Sequence, residues 1–213
     1  MNSKSYFLLF ISLALLSSFI SSKKEVTLYD EKVSLVSNLN SKNFNSQITT
    51  NRSKNLISIV HYYTLSDGKS NEYVENFDKL ATDFDGMFKV AAMNCAQYKD
   101  VCEKQEVTST PVFKVYPLLP APVMNYEGKI EPMAIVGYLG KFIPNKVNEL
   151  NPNNFENFMK ERPNLPKAIL FTDKKGIPLI FKAIAVSFDV RDYKLILIII
   201  FILEKNRFRY CQK

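Results

Sequence analysis

Apolar and polar positions along the chain switch repeatedly between a strand period and a helix period. Leu56-Ile57-Ser58-Ile59-Val60-His61-Tyr62-Tyr63 is apolar on both faces, as a central buried strand must be. Asn71 to Phe84 places Tyr73, Val74, Phe77, Leu80 and Ala81 on one stripe, which predicts an amphipathic helix. Around these lie a predicted short strand at Val33 to Val36 and a helix from about Ser41, with Asn40 or Ser41 as its cap. A strand at Met87 to Ala92 and a short helix at Tyr98 to Glu106 follow. Two strands, Pro111 to Tyr116 and Val123 to Tyr126, flank a proline-rich turn, and a helix at Met133 to Phe142 closes the unit. Strands alternating with helices, then a hairpin and a last helix, predict an α/β sandwich built around one sheet.

An internal repeat extends the pattern. Val36-Ser37-Asn38-Leu39-Asn40-Ser41-Lys42-Asn43-Phe44 recurs 111 positions later as Val147-Asn148-Glu149-Leu150-Asn151-Pro152-Asn153-Asn154-Phe155. Each copy leads into an apolar strand followed by threonine, Leu56 to Tyr63 with Thr64 and Ala168 to Phe171 with Thr172. A period this long implies duplicated domains, since solenoid repeats are far shorter. In the second copy Asn151 suits an N-cap and Pro152 the first helical position. A strand at Lys167 to Phe171 and a helix near Pro178 to Val186 are predicted, and the pattern then stops short of a full period.

The ends of the chain read differently. Met1 to Ser5 carries one lysine, Tyr6 to Leu16 is apolar, and small serines precede Lys23-Lys24-Glu25. This order is that of a secretory signal peptide, with an uncleaved signal anchor as the alternative. The expected division is a signal peptide at 1–22, a first domain at 23–145, a partial second domain at 146–192 and a hydrophobic then basic tail at 193–213. The nine apolar residues Leu195 to Leu203 fall short of the roughly 20 that a membrane-spanning helix needs. A buried strand is the favoured reading of that run; membrane contact and an altered or truncated end are the alternatives. No Lys-Asp-Glu-Leu-type ending follows, since the chain finishes Tyr210-Cys211-Gln212-Lys213, which leaves secretion open beside retention.

Composition narrows the chemistry. Apolar residues make up 46% and aromatics 13%, enough for a packed core, whereas six glycines argue against a glycine-rich nucleotide-binding design. The net charge of +7 is scattered, and the only basic clusters, Lys174-Lys175 and Lys205 to Arg209, are short, with Phe208 the one aromatic between their charges, so no nucleic-acid partner is expected. One histidine and dispersed carboxylates give no metal-ligand spacing, and no cofactor is expected. Gly68-Lys69-Ser70 invites a phosphate-loop reading, but the upstream glycine of that motif falls at Tyr63. Asn51-Arg52-Ser53 is a glycosylation sequon in a predicted loop.

Val60-His61-Tyr62-Tyr63 followed by Leu80-Ala81 resembles the strand, active-site turn and first helix of protein disulfide isomerases. Asn94-Cys95 with Cys102, then Val107-Thr108-Ser109-Thr110-Pro111-Val112-Phe113, resembles the next strand, short helix and cis-proline loop of that family. The resemblance covers about residues 30 to 143. It implies a thioredoxin-like sandwich, a central mixed sheet flanked by helices. Ala168 to Ala185, with Phe171-Thr172-Asp173-Lys174-Lys175, resembles the inactive thioredoxin-like domain that follows in some members, here incomplete.

The departures from the family lie at its chemistry. Its Cys-x-x-Cys opens a helix whose dipole lowers the first thiol's pKa. Here those positions read Asp67-Gly68-Lys69-Ser70, so thiolate attack and resolution cannot occur there. Asp67 is expected to cap the helix instead. The family's buried glutamate aligns with His61, so both parts of the redox device are missing together. His61 has no evident nucleophile beside it and reads as a core or rim histidine. Cys95 and Cys102, at a strand end and on the next short helix, suit a local structural disulfide in an oxidising lumen; free thiols or a redox pair are the alternatives. Cys211 is left over, either free or available for an intermolecular bond.

The expected function is a non-catalytic, disulfide-isomerase-like protein of the endoplasmic reticulum lumen, or secreted. It would bind unfolded or partly folded secretory proteins, or another foldase, through Tyr62, Tyr63, the turn at Thr64 to Ser66, Thr110 and Pro111. The rivals are a thiol-disulfide oxidoreductase acting through Cys95 and Cys102, and a shortened product whose second domain cannot close.

Overall fold

A computed structural model describes residues 26–161, 163, 167–172, 176–189 and 196–202. The expected signal peptide, both basic clusters and Cys211 lie outside the described residues.

The N-terminal unit is a five-stranded mixed sheet in the order β1 (Ser37–Leu39), β3 (Lys89–Asn94), β2 (Ser58–Tyr63), β4 (Val112–Tyr116), β5 (Met124–Asn125). Strands β1 and β2 run parallel to β3, while β4 is antiparallel to both β2 and β5. All six residues of β2 are buried, which is why its sequence shows no polar face. Ile59 and Tyr63 face one core, Val60 and Tyr62 the other.

Two helices of this unit cover the first core. Helix α2 (Val74–Asp83), entered through a 3-10 turn at Ser70–Tyr73, buries Phe77, Leu80 and Ala81. Helix α4 (Pro132–Leu139) starts with Pro132 in its first turn and buries Ile135, Val136 and Leu139 against the same cluster. On the opposite face a π-helical turn, Asn45–Thr49, runs into α1 (Thr50–Ser53), and α3 (Lys99–Lys104) buries Val101 and Cys102. The expected sandwich is therefore present, with the first strand displaced. Residues 33–36 do not form it, because Val33 and Ser34 donate back to the Asp30 carbonyl in a turn that leaves Val33 82% exposed.

The C-terminal unit comprises α5 (Phe155–Lys160), β6 (Lys167–Thr172), α6 (Leu179–Asp189) and β7 (Ile196–Ile202), with β7 parallel to β6. Within the apolar run near the C-terminus, Ile196–Ile202 is thus a strand paired with β6. The sequence repeat returns as a repeated hydrogen-bond motif. The Asn40 amide donates to Asn43 Oδ1, the Asn43 amide to Asn40 Oδ1, and Asn43 Nδ2 to the Asn38 carbonyl. At the same offset, Asn151 and Asn154 exchange the same pair of bonds and Asn154 Nδ2 reaches the Glu149 carbonyl. Each motif satisfies free amides ahead of a helix. Helix α6 does not stand apart, since Ala183 and Val186 belong to the core cluster of the N-terminal unit and Leu179 packs against it.

Candidate functional site

The C-terminal ends of β2 and β3 and the start of β4 meet at one edge of the sheet. Thr64 follows β2, Cys95 follows β3, and Thr110-Pro111, joined by a cis peptide bond, leads into β4. Thr64, Cys95, Lys99, Cys102, Glu103 and the segment Glu106 to Thr110 line a groove of about 460 Å³.

One rim of this region is the turn Asp67 to Ser70. Asp67 Oδ1 accepts the Ser70 amide at 2.8 Å, and Oδ2 accepts the Ser70 hydroxyl at 2.7 Å and the Thr64 amide at 3.1 Å. Asp67 thus caps the helical segment, an arrangement that suits the positive end of a helix. Gly68 supplies the left-handed conformation, φ +67°, that lets the chain turn under the carboxylate. Partial burial pushes the Asp67 carboxyl up. Bonds from Ser70, Thr64 and the Thr110 hydroxyl outweigh it and hold the group down at about 2. Cysteine is absent from the turn, and its anchor is a carboxylate with no thiol chemistry.

The disulfide is present. Cys95 and Cys102, seven positions apart, are bonded, with their Cα atoms 5.8 Å apart. Cys102 is 2% exposed and sits in the core cluster, while Cys95 is partly exposed at the groove.

Tyr62 and Tyr63 are not groove residues. Both are buried, at 0% and 1% exposure, because β2 is the central strand. Tyr62 shares a 2.5 Å hydroxyl hydrogen bond with Tyr116, and the Tyr63 hydroxyl accepts the Leu28 amide at 3.0 Å. Neither offers a client any surface. Of the four residues expected to contact clients, Thr110 lines the groove, and Pro111 follows it in the chain.

His61 is a core histidine. It stacks on Phe113 with ring centres 4.4 Å apart, and its Nδ1 shares a 2.7 Å hydrogen bond with the Tyr29 hydroxyl. Its Nε2 has no hydrogen-bond partner among the described residues. Burial lowers its pKa to about 3, so the ring is neutral at physiological pH. Tyr29, Tyr63, Tyr73, Phe77 and Phe113 surround it, and none is a nucleophile at neutral pH.

The sequon is not in a loop. Asn51 lies in α1, and its Nδ2, the atom that would carry a glycan, donates to the Gln47 carbonyl. Among the described residues no group of His, Cys, Asp and Glu is arranged to hold a metal ion, and no helix is long and apolar enough to cross a membrane.

The family model described as Thioredoxin matches residues 35–141, half of the chain. The chain belongs to the thioredoxin family. It is 27% identical over 159 residues to a Dictyostelium discoideum protein named for a protein disulfide-isomerase, covering 72% of this chain and 38% of that one. It is also 27% identical over 158 residues to a mitochondrial thioredoxin domain-containing protein of Schizosaccharomyces pombe, covering 71% of this chain and 42% of the relative. The chain therefore spans about two fifths of the length of these curated relatives. Among solved structures, ERdj5 form I superposes with a TM-score of 0.65 at 18% identity over 81% of this chain and 23% of its own. ERdj5 form II gives 0.63 at 16% identity over 83% of this chain and 23% of its own. At such identities the likeness concerns the thioredoxin fold alone.

The cis-proline loop was legible in Val107 to Phe113 through its resemblance to the family. The lining by Lys99, Glu103 and Glu106 was not, because it depends on how α3 lies beside the cis-proline loop.

Proposed function

We propose that this thioredoxin-family chain is a binding module that has lost dithiol chemistry at its active-site turn. It takes extended segments of unfolded or partly folded polypeptide, or a partner foldase, in the groove bounded by Thr64, α3 and Thr108 to Pro111. The carrying observation is the turn itself. A carboxylate pinned by Ser70 and Thr64 stands where the family's cysteine pair would stand, while the cis-proline loop beside it remains intact. Lys99, Glu103 and Glu106 give the groove wall both signs of charge, and the backbone of the loop adds β-type contacts, which favours broad and weak recognition. Operation in the secretory pathway, in the endoplasmic reticulum lumen or outside the cell, rests on the N-terminal segment and on the disulfide, which suits an oxidising compartment. The repeated asparagine motif and the β6-α6-β7 order support a duplicated, partial second thioredoxin-like unit.

The test is suppression of aggregation of a denatured, cysteine-free client by the full chain, with Thr110→Arg as the variant that fills the groove. Suppression weakened by Thr110→Arg is expected; no suppression at stoichiometric excess overturns the reading. The rival, oxidoreductase activity through Cys95 and Cys102, is favoured by the presence of that disulfide on the same groove. It demands insulin reduction that disappears in Cys102→Ala.

A further inference from the structure

One wall of the groove carries a covalent link, the Cys95–Cys102 disulfide, beside the bonds that Lys114 and Tyr116 donate to Gln105 and the contact of Thr110 with Thr64. Helix α3 is six residues long, too short to persist by itself in water. It buries only Val101 and Cys102. Its Lys99–Glu103 pair, 3.6 Å apart, is exposed at 82% and 64% and contributes little. The segment that follows depends on it. The Gln105 amide donates to the Val101 and Cys102 carbonyls, and the Val107 amide donates to the Cys102 carbonyl at 3.0 Å. Between them Glu106 sits at φ +58°, a left-handed conformation that a residue with a side chain holds only when its surroundings enforce it. From there the chain runs directly through Val107 to Thr110 into the cis-proline peptide. The other end of the disulfide is firm, since Cys95 donates its amide to the Tyr63 carbonyl at 2.8 Å, at the end of the central strand.

We propose that the Cys95–Cys102 disulfide is a redox latch on the client groove: closed, it holds α3 and the Gln105 to Thr110 segment in binding shape, and opened by thiols it weakens client binding. This regulation rests on the binding reading above. A small thiol such as glutathione opens the latch in two exchanges. A first thiolate attacks Sγ of Cys95, the partly exposed sulfur on the groove, because Cys102 is 2% exposed. The S–S bond breaks, Cys102 leaves as a thiolate and takes up a proton, and Cys95 carries the thiol in a mixed disulfide. A second thiolate attacks the thiol's sulfur in that mixed disulfide and expels Cys95 as a thiolate, which is protonated in turn. The protein disulfide gains two electrons and two protons, and two small thiols become one small disulfide.

The experiment uses the full chain carrying Cys211→Ser, so that this pair alone responds to reductant. Binding of a labelled, cysteine-free unfolded peptide is followed by fluorescence anisotropy in the oxidised state and after reduction, with free thiols counted by alkylation and mass. Hydrogen exchange of residues 99–110 is measured in parallel. Loss of a pre-organised wall is expected to weaken Kd by about tenfold. Cys95→Ser with Cys102→Ser is expected to bind weakly under both conditions, and exchange in 99–110 to quicken on reduction. Binding equal or tighter after reduction, with two thiols confirmed, overturns the latch. If the oxidised chain binds no peptide, the binding reading falls, and unchanged exchange in 99–110 on reduction then overturns the latch separately.

Discussion

The hydroxyls of Thr64 and Thr110 lie 3.2 Å apart, joining the turn after the central strand to the cis-proline loop. Through Thr64, whose amide and hydroxyl both approach Asp67 Oδ2, the carboxylate of the Asp67 to Ser70 turn is connected to the loop across the groove. The network ties together two segments that are 46 residues apart in sequence.

Removing the carboxylate tests that network. Asp67→Ala strips the cap from the Ser70 amide and hydroxyl and is expected to cost about 1 kcal/mol. Chemical denaturation of wild type and variant reads the difference, and an unchanged midpoint would show that the turn holds without Asp67.

Restoring the family's cysteines asks whether they are the missing part. Asp67→Cys with Ser70→Cys is expected to raise insulin reduction above that of the wild type, at a rate limited by the neutral, apolar surroundings of His61. A double variant that forms the new disulfide yet gives no turnover would place the defect elsewhere in the groove.

His61 makes stability depend on pH. Its pKa is about 3 when folded against 6.5 for a free histidine, so the unfolded chain binds the extra proton between those values. The stabilisation is complete above about pH 6.5 and is lost progressively as the pH falls toward 3. Between pH 7 and pH 5 the loss from this residue amounts to about 2 kcal/mol. His61→Phe, stacked on Phe113, is expected to flatten that slope while costing the Tyr29 hydroxyl its partner. Urea midpoints at the two pH values decide it. Asp67 adds a separate loss below about pH 3.8, since its folded pKa is the depressed one.

Helix α6 is expected to unfold with the N-terminal unit. Val186 is 3% exposed within that unit's core cluster, and Val186→Asp buries an unpaired carboxylate there. A loss of about 3 kcal/mol is expected for the whole cooperative transition. A variant in which only residues past 146 become protease-sensitive would show instead that the two units are energetically separate.

Individual residues show how far the sequence carries. Asp67 was legible as a cap because a short acceptor side chain stood three positions before Ser70, and Cys95 with Cys102 was legible as a pair because a strand end and the next helix are neighbours. Tyr62 and Tyr63 misled. Next to an active-site turn their aromatic rings read as a rim, yet alternation on a central strand sends one into each core. Asn51 misled similarly, since a helical turn with the Asn51 amide bonded back to Gln47 has no polar signal that separates it from a loop.

The sequence by itself determined most of the elements, the repeat, the absence of cysteine from the active-site turn and the family to which the fold belongs. These depend on periodicity and residue type, which are local properties. Only the tertiary structure decided that the β2 tyrosines are buried, that α6 completes the core of the N-terminal unit and that the disulfide shares a groove with the cis-proline loop. Each of those depends on which distant segments meet. Burial and proximity arise from packing between elements, and no single element encodes them.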